Sequence, residues 1–401
     1  MKRALKEYFD KIKPQFIEGG KLSKLRSVYD GFESFLFTPN TTSQSGVHIH
    51  DSNDTKRTMI IVVLALMPAL IFGMFNVGYQ RYLSIGQTPE FLTSFAYGLL
   101  ALLPKIITSY VVGLGIEFAS AQIRKHEIQE GFLVSGILIP MICPIDTPIW
   151  MIAVATAFSV IFVKEVFGGT GMNIFNVALM TRAFLFFAYP SKMSGDNVFV
   201  ANSPIFGLGD GQVVDNFSGA TPLGQIATNA GSTLHLTGIT GGDMSLWDMF
   251  LGLIPGSVGE TSTLFILIGG AILLFTGVAS WRIMLSVFVG GLVMGFIAHA
   301  FPSATFPGSM LNPVEQVCLG GFAFAAVFMA TDPVTAAHTN TGKYIYGFLV
   351  GVLAILIRVY NSGYPEGAML AVLLMNAFAP LIDYCVVESN IRRRMRRAKQ
   401  A

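Results

Sequence analysis

Residues 58–79, TMIIVVLALMPALIFGMFNVGY, form a run without a charged side chain, directly after Lys56 and Arg57. At about 1.5 Å of rise per residue, a helix over this run crosses the roughly 30 Å hydrocarbon core of a bilayer. The whole chain has the same character, because 52% of its 401 residues are apolar and only 12% are charged. Soluble proteins typically have about 25% charged residues. The sequence therefore predicts a polytopic membrane protein and excludes a soluble, disordered or disulfide-scaffold protein.

Nine further apolar segments follow this run. They cover residues 91–123, 131–145, 148–163, 173–189, 263–280, 283–301, 316–331, 344–357 and 368–383. Several are short, so we expect some of them to be re-entrant or broken. Ten segments, five on each side of the polar stretch 191–260, predict an all-α fold of about ten transmembrane helices. Five spans per half would give the two halves opposite orientations, which is the arrangement of an inverted repeat.

The charges are unevenly distributed along the chain. Sixteen of the 26 Lys and Arg residues lie in residues 1–57 and 391–401, whereas 191–260 holds one Lys and six acids. Positive residues that flank spans stay in the cytoplasm, so both termini are expected there and the acidic loop outside. A basic juxtamembrane tail explains these charges better than nucleic-acid binding. The predicted divisions are a cytoplasmic extension 1–57, membrane halves 58–190 and 261–385, the external loop 191–260, and a cytoplasmic tail 386–401.

The string GGTGMNIFN, residues 168–176, is the densest polar interruption of the apolar segments. Its glycines are Gly168, Gly169 and Gly171. Glycine lets backbone approach a ligand closely, and the amides of Asn173 and Asn176 can donate to and accept from a planar heterocycle. If the string is helical, the two amides share one face. A Gly-rich helix start with asparagine caps is the alternative, and both interpretations stay open.

Three acids interrupt or end apolar segments: Glu117, Asp332 and Asp383. A charge at the centre of a span costs on the order of 2.5–3.5 kcal/mol, so such residues often mark ion paths. Lys105 is too far along the helix to neutralise Glu117. Water at a helix end is the plainer explanation for Asp332 and Asp383.

Other polar motifs are less informative. The string SGAT, residues 218–221, indicates by itself only an exposed turn that ends on the hydroxyl of Thr221. The histidines in GVHIH, His48 and His50, have no further metal ligands nearby. The three cysteines are isolated, so this chain alone does not complete an iron–sulfur or zinc site.

Taken together, these strings resemble a known family over essentially the whole chain. The resemblance rests on KEVFGGTGMNIFNVALMTRAFLFFAYP (164–190), SGAT (218–221), IPGSVGETSTL (254–264), GVASWR (277–282), FMATDPV (328–334), IRVYNSGYPEGAMLA (357–371) and the basic tail. The chain resembles the family formed by the B subunit of the sodium-translocating NADH:quinone oxidoreductase, the Nqr complex, and the related D subunit of the Rnf complex. The long charged amino-terminal extension is similar to that of the Nqr branch.

The resemblance implies a flavoprotein subunit of a translocase in the bacterial inner membrane, with a fold similar to urea transporters. It implies FMN esterified through its phosphate to Thr221, at the end of the attachment string Ser218, Gly219, Ala220. It also implies a riboflavin held by Gly168, Gly169, Gly171, Asn173 and Asn176, and a quinone near Gly113 and Glu117. The sodium-linked acids of the family match Asp30, Glu117, Asp332 and Asp383.

The resemblance further implies that electrons pass from NADH through partner subunits, in a six-subunit assembly, to quinone while Na⁺ is exported. This chain would not oxidise NADH unaided. The family usually has proline where this chain has Val177, which leaves the start of the following helix open. A solute channel or transporter of the same fold, or an Rnf-type subunit, is the alternative. Flavin that stays on the denatured polypeptide would distinguish a redox subunit from a channel.

Overall fold

The computed structural model describes residues 2–16, 29, 33, 37, 45–47, 55–124, 131–194, 198–214, 217–228, 236–238, 241–361 and 363–400. In these residues the regular structure is helical, and β pairing is limited to isolated bridges. The helices are α1 Lys2–Phe16, α2 Thr55–Ser84, α3 Phe91–Arg124, α4 Phe132–Ile142, α5 Ile149–Ser159, α6 Val177–Ala188, α7 Pro222–Thr228, α8 Leu246–Leu251, α9 Thr263–Phe275, α10 Trp281–Ala300, α11 Pro313–Cys318, α12 Phe322–Phe324, α13 Asn340–Tyr360 and α14 Ala368–Gln400. The predicted all-α class is confirmed for this part of the chain.

Five of the described helices are long and apolar enough to cross a bilayer. They are α2 from Arg57 onward, α3, α10, α13 and α14. Three shorter apolar helices, α4, α6 and α9, lie between them. Each of the ten predicted segments contains helix, but the count of ten spans and the inverted repeat stay predictions.

Two helices pass into π-helical turns. The helix α5 continues as the turn Val160–Glu165, and α12 continues as the turn Ala325–Met329. The segment 316–331, predicted as one span, is therefore broken into α11, α12 and this second turn. All residues of the second turn are buried. Irregular backbone at membrane depth is tolerated where protein surrounds it, and this burial meets that condition.

Glycines bring the long helices into backbone contact. A Cβ built on Gly98 of α3 would lie 1.8 Å from the carbonyl oxygen of Met74 in α2. A Cβ on Gly351 of α13 would lie 2.1 Å from the carbonyl oxygen of Val287 in α10. Close approach through small residues is the usual way membrane helices pack, since lipid gives them no hydrophobic drive to associate.

Candidate functional site

The Gly-rich string is a non-helical link between the first π turn and α6. Its three glycines have φ values of +120°, +97° and +90° at positions 168, 169 and 171, a region in which side chains other than glycine are strained. Asn173 and Asn176 are therefore not paired on a helical face. The Asn173 side chain donates to the backbone oxygen of Phe175 at 2.9 Å.

Asn176 is the amino-terminal cap of α6. Its side-chain oxygen accepts from the backbone N–H of Leu179 at 3.2 Å, which supports a helix that begins at Val177 without the expected proline. The asparagine-cap interpretation thus holds for this residue. Its side-chain nitrogen also donates to Oδ2 of Asp332 at 3.1 Å, so Asn176 joins the two halves of the chain.

A cavity of about 120 Å³, here called the central cavity, opens beside this cap. Most of its lining residues are apolar, and they come from α2, α4, α9, the second π turn and the links next to these elements. Its polar lining includes Lys164, Thr170, Asn173, Asn176, Thr331 and Asp332. A mostly apolar pocket with a few convergent polar groups is typical of an organic ligand site. The amide and ammonium donors beside apolar walls fit the polar edge and flat faces of a flavin ring.

Glu117 has a partner that the sequence analysis did not identify. Its Oε1 forms a salt bridge with Nζ of Lys164, and both side chains are only 4% exposed. Lys164 lines the central cavity, so this pair connects the cavity with α3. The other carboxylate oxygen of Glu117 is buried without a hydrogen-bond partner. Lys105 instead donates to the backbone oxygens of Pro144 and Ile145.

Gly113 lies one turn before Glu117 on the buried face of α3. A Cβ at Gly113 would lie 2.0 Å from the ring of Phe132 in α4. This ring also lies 6.0 Å from Nζ of Lys164. Gly113 and Glu117, the predicted quinone region, are therefore joined through Phe132 and Lys164 to one side of the central cavity.

Asp332 and Asp383 accept hydrogen bonds from the two ends of the segment 334–339, which leads into α13. Asp332 accepts from the backbone N–H of Val334 at 3.1 Å and from the Thr335 hydroxyl at 3.2 Å. Asp383 accepts from the backbone N–H of His338 at 2.7 Å and from the Thr339 hydroxyl at 2.5 Å. Both acids thus have protein partners at helix or loop ends. Asp30, the fourth predicted acid, and the pair His48 and His50 lie outside the described residues.

Thr221 lies at the junction of two further cavities. One, of about 260 Å³, is lined by Phe186, Phe199 and Tyr364, and the other, of about 20 Å³, lies on the side of Glu260. The Thr221 hydroxyl accepts from the backbone N–H of Gly224 at 3.1 Å, which fixes its position at the start of α7. In the string before it, Ser218 is exposed whereas Gly219 and Ala220 are buried. The aromatic walls fit a flavin ring tethered to this hydroxyl.

Buried charges that sequence reasoning did not single out lie beside Thr221. Arg182 of α6 forms salt bridges with Glu260 at 2.6 Å and with Glu366. Glu260, one of the six acids of the predicted external loop 191–260, is buried, because its side chain is only 7% exposed. In the sequence, Arg182, Glu260 and Glu366 are single charges next to apolar runs. This isolation is the feature that could have indicated buried charges.

The helix α6 joins the two candidate sites. Asn176 and Val177 at its start line the central cavity, and Arg182 and Phe186 farther along the helix line the larger cavity at Thr221. Ten residues of helix between Asn176 and Phe186 correspond to about 15 Å of rise. One short helix therefore connects the predicted riboflavin and FMN positions.

The chain is similar to known proteins over most of its length. Residues 42–392 match the model of the NQR2, RnfD, RnfE family. The B subunit of the Na(+)-translocating NADH-quinone reductase of Klebsiella pneumoniae (strain 342) is 43% identical to this chain over 422 residues, covering 98% of this chain and 99% of the relative. The B subunits of Pseudomonas aeruginosa (strain LESB58) and Chromohalobacter salexigens are 41% and 42% identical, also over 98% of this chain and over 99% and 96% of their own lengths. The chain is thus a member of the NQR2, RnfD, RnfE family and is similar along nearly its full length to B subunits of the sodium-translocating reductase.

Proposed function

We propose that this chain is the membrane subunit of a sodium-pumping NADH:quinone oxidoreductase and that it carries FMN on Thr221 and riboflavin in the central cavity. The observation that carries this proposal is α6, which lines both cavities and spaces them by about three turns. Relatives named as B subunits of the Na(+)-translocating reductase support the same assignment. Electrons would reach the chain from partner subunits and leave it to quinone, while Na⁺ is exported across the bacterial inner membrane.

The flavins supply the electron-transfer chemistry, and the protein positions them and sets their electrostatic surroundings. At Thr221, the N–H of Gly224 orients the hydroxyl, and the rings of Phe186 and Tyr364, with centroids 4.6 Å apart, form a wall for an aromatic ligand. In the central cavity, one N–H of Asn176 is used by Asp332, which leaves its second N–H for a ligand. The ammonium of Lys164 places a positive charge in the wall of this cavity.

The sidedness that we propose follows the charges. Both termini lie in the cytoplasm and 191–260 faces outward, so α6 leads from an inner riboflavin toward an outer FMN. Glu117, next to Lys164, takes part in quinone binding or ion passage, and Asp30, Asp332 and Asp383 collect ions on the inner side. The carboxylate oxygens of Glu117, Asp332 and Asp383 are the kind of ligand that hard cations prefer.

Mass spectrometry of the intact chain tests the covalent flavin. We expect one FMN adduct that is lost in Thr221→Ala. Thr228→Ala is the matched control, since Thr228 lies in α7 and lines the same larger cavity. An adduct that persists in Thr221→Ala would refute the attachment site, and an adduct that is absent from the unaltered chain would favour a channel of the same fold.

Flavin extraction tests the second site. We expect Asn173→Leu to lower the riboflavin content of the purified complex while covalent FMN stays at the level of the unaltered protein. If the Asn173/Asn176 double substitution keeps full riboflavin, the Gly-rich string is only the start of α6.

Titration with sodium tests the inner acids. We expect Asp383→Ala to raise the Na⁺ concentration that gives half-maximal quinone reductase activity, with normal flavin content, and Asp383→Glu to change it less. If Asp383→Ala keeps the original sodium dependence, Asp383 serves only to anchor His338 and Thr339 at the start of α13.

A further inference from the structure

The two carboxylates that pair with Arg182 line a small chamber next to Thr221. Arg182 binds Oε1 of Glu260 and Oε2 of Glu366, which leaves Oε2 of Glu260 and Oε1 of Glu366 outside these two contacts. Arg358 also approaches the cluster, but its hydrogen bonds go to the backbone oxygens of Gln316 and Glu366. The two carboxylates therefore have one guanidinium as their shared ion-pair partner.

The chamber between these groups and Thr221 has a volume of about 20 Å³. A space of roughly 10–15 Å³ is the minimum for one water molecule, so the chamber has room for a single small ligand. Its oxygen-bearing lining side chains are Thr221, Ser257, Glu260, Thr261 and Glu366. The lining thus combines two carboxylates with three hydroxyls.

Thr261 gives independent evidence that the chamber is built for a ligand. Its side chain is buried, with 4% exposure, and its Oγ1 has no hydrogen-bond partner in the protein. A buried polar atom left without a partner costs about 1–3 kcal/mol. A ligand in the chamber that offers a positive charge or a hydrogen-bond donor removes this cost.

The chemistry of the lining selects the ligand. Two carboxylates exclude an anion, and the described residues hold no cluster of three or more His, Cys, Asp or Glu that would bind a transition metal or a divalent ion. Carboxylate and hydroxyl oxygens are the ligands of hard cations. We propose that this chamber is a sodium site at the Thr221 end of α6, with oxygens from Glu260, Glu366 and Thr261.

This inference rests on the proposed function in two respects only, the choice of sodium as the ion and the negative charge of an FMN phosphate on Thr221. Arg182 and Arg358 balance Glu260 and Glu366, so a bound cation leaves the cluster with one positive charge. An FMN phosphate esterified to Thr221 would contribute a negative charge at the edge of the same chamber. The proposed flavin and the proposed ion therefore stabilise each other electrostatically, which places a cation site beside a redox group.

Equilibrium binding of radioactive sodium to the purified, oxidised complex, in a choline buffer without NADH or quinone, tests the proposal. We expect Thr261→Val to lose one bound Na⁺ per complex or to weaken its binding at least tenfold. The matched control is Thr156→Val, because Thr156 of α5 is also buried with an unpartnered hydroxyl. This control should bind sodium like the unaltered complex. Glu366→Gln is the second variant and should also weaken binding.

Sodium binding of unaltered stoichiometry and affinity in both Thr261→Val and Glu366→Gln would overturn the proposal and leave the chamber to water. FMN attachment is measured on the same preparations to separate the two proposals. If FMN is on Thr221 but neither Thr261→Val nor Glu366→Gln alters sodium binding, only the ion site fails. If sodium binding depends on Thr261 in a complex without FMN on Thr221, only the flavin attachment fails.

Discussion

The buried pair of Glu117 and Lys164 gives the sharpest stability prediction. Both side chains are 4% exposed, so solvent screens their attraction very little. Removing one partner of a buried pair typically costs about 3–5 kcal/mol, because a buried charge is left without compensation. We expect Lys164→Met to lower the free energy of unfolding by an amount within this range, since the second carboxylate oxygen of Glu117 already has no protein partner.

The double variant Glu117→Met/Lys164→Met shows whether the loss of stability comes from the unpaired charge or from altered packing. Replacing both charges by apolar side chains of similar volume is often neutral, so the double variant should be more stable than Lys164→Met. The free energy lost in the double variant should fall below the sum of the two single losses by at least about 3 kcal/mol, the upper end for directly coupled residues. Reversible unfolding of the detergent-purified chain in mixed micelles measures all four proteins. Single variants with unchanged stability, or strictly additive costs, would refute a buried, mutually dependent pair.

Three further substitutions test local geometry by the same unfolding measurement. Asn176→Ala should cost about 1 kcal/mol through the lost cap of α6, and an unchanged stability would contradict the capping bond to Leu179. Gly113→Ala should cost about 1–3 kcal/mol by overpacking against Phe132, and Phe132→Leu should recover part of that loss if the clash is its cause. Gly252→Ala should cost at least about 1 kcal/mol, because Gly252 has φ +92° at the end of α8. An equal or higher stability of Gly252→Ala would contradict that backbone conformation.

The long apolar runs made the main helices predictable. The run 58–79 lies within α2, and the predicted segment 91–123 differs from α3 by one residue at its carboxyl end. The length of an apolar run predicts these helices well, because a helix satisfies all backbone hydrogen bonds within its own segment. The same criterion failed for 316–331, where Gly320 with φ +60° interrupts the helix and buried contacts replace its regular geometry.

The partners of the buried charges were not predictable from local spacing. Glu117 and Lys164 are 47 residues apart, and Arg182 is 78 and 184 residues from its two partners. Sequence patterns reveal neighbours at three or four residues on one helix, so they identified Glu117 as unusual but not its partner. The string at 168–176 was recognised as polar and Gly-rich, but its positive φ values remove the helical pairing of its two amides.

Polar contacts from the start and the middle of α6 reach distant parts of the chain at both candidate sites. Asn176 binds Asp332 beside the central cavity, and Arg182 binds Glu260 and Glu366 beside Thr221. These contacts start from the cap or the body of α6, a helix of 12 residues. A helix this short transmits a displacement of one end to the other, since its backbone hydrogen bonds form one continuous ladder. Under the proposed function, a charge gained or lost in either cavity acts on the same rigid element, and we propose α6 as the link between electron arrival and cation binding.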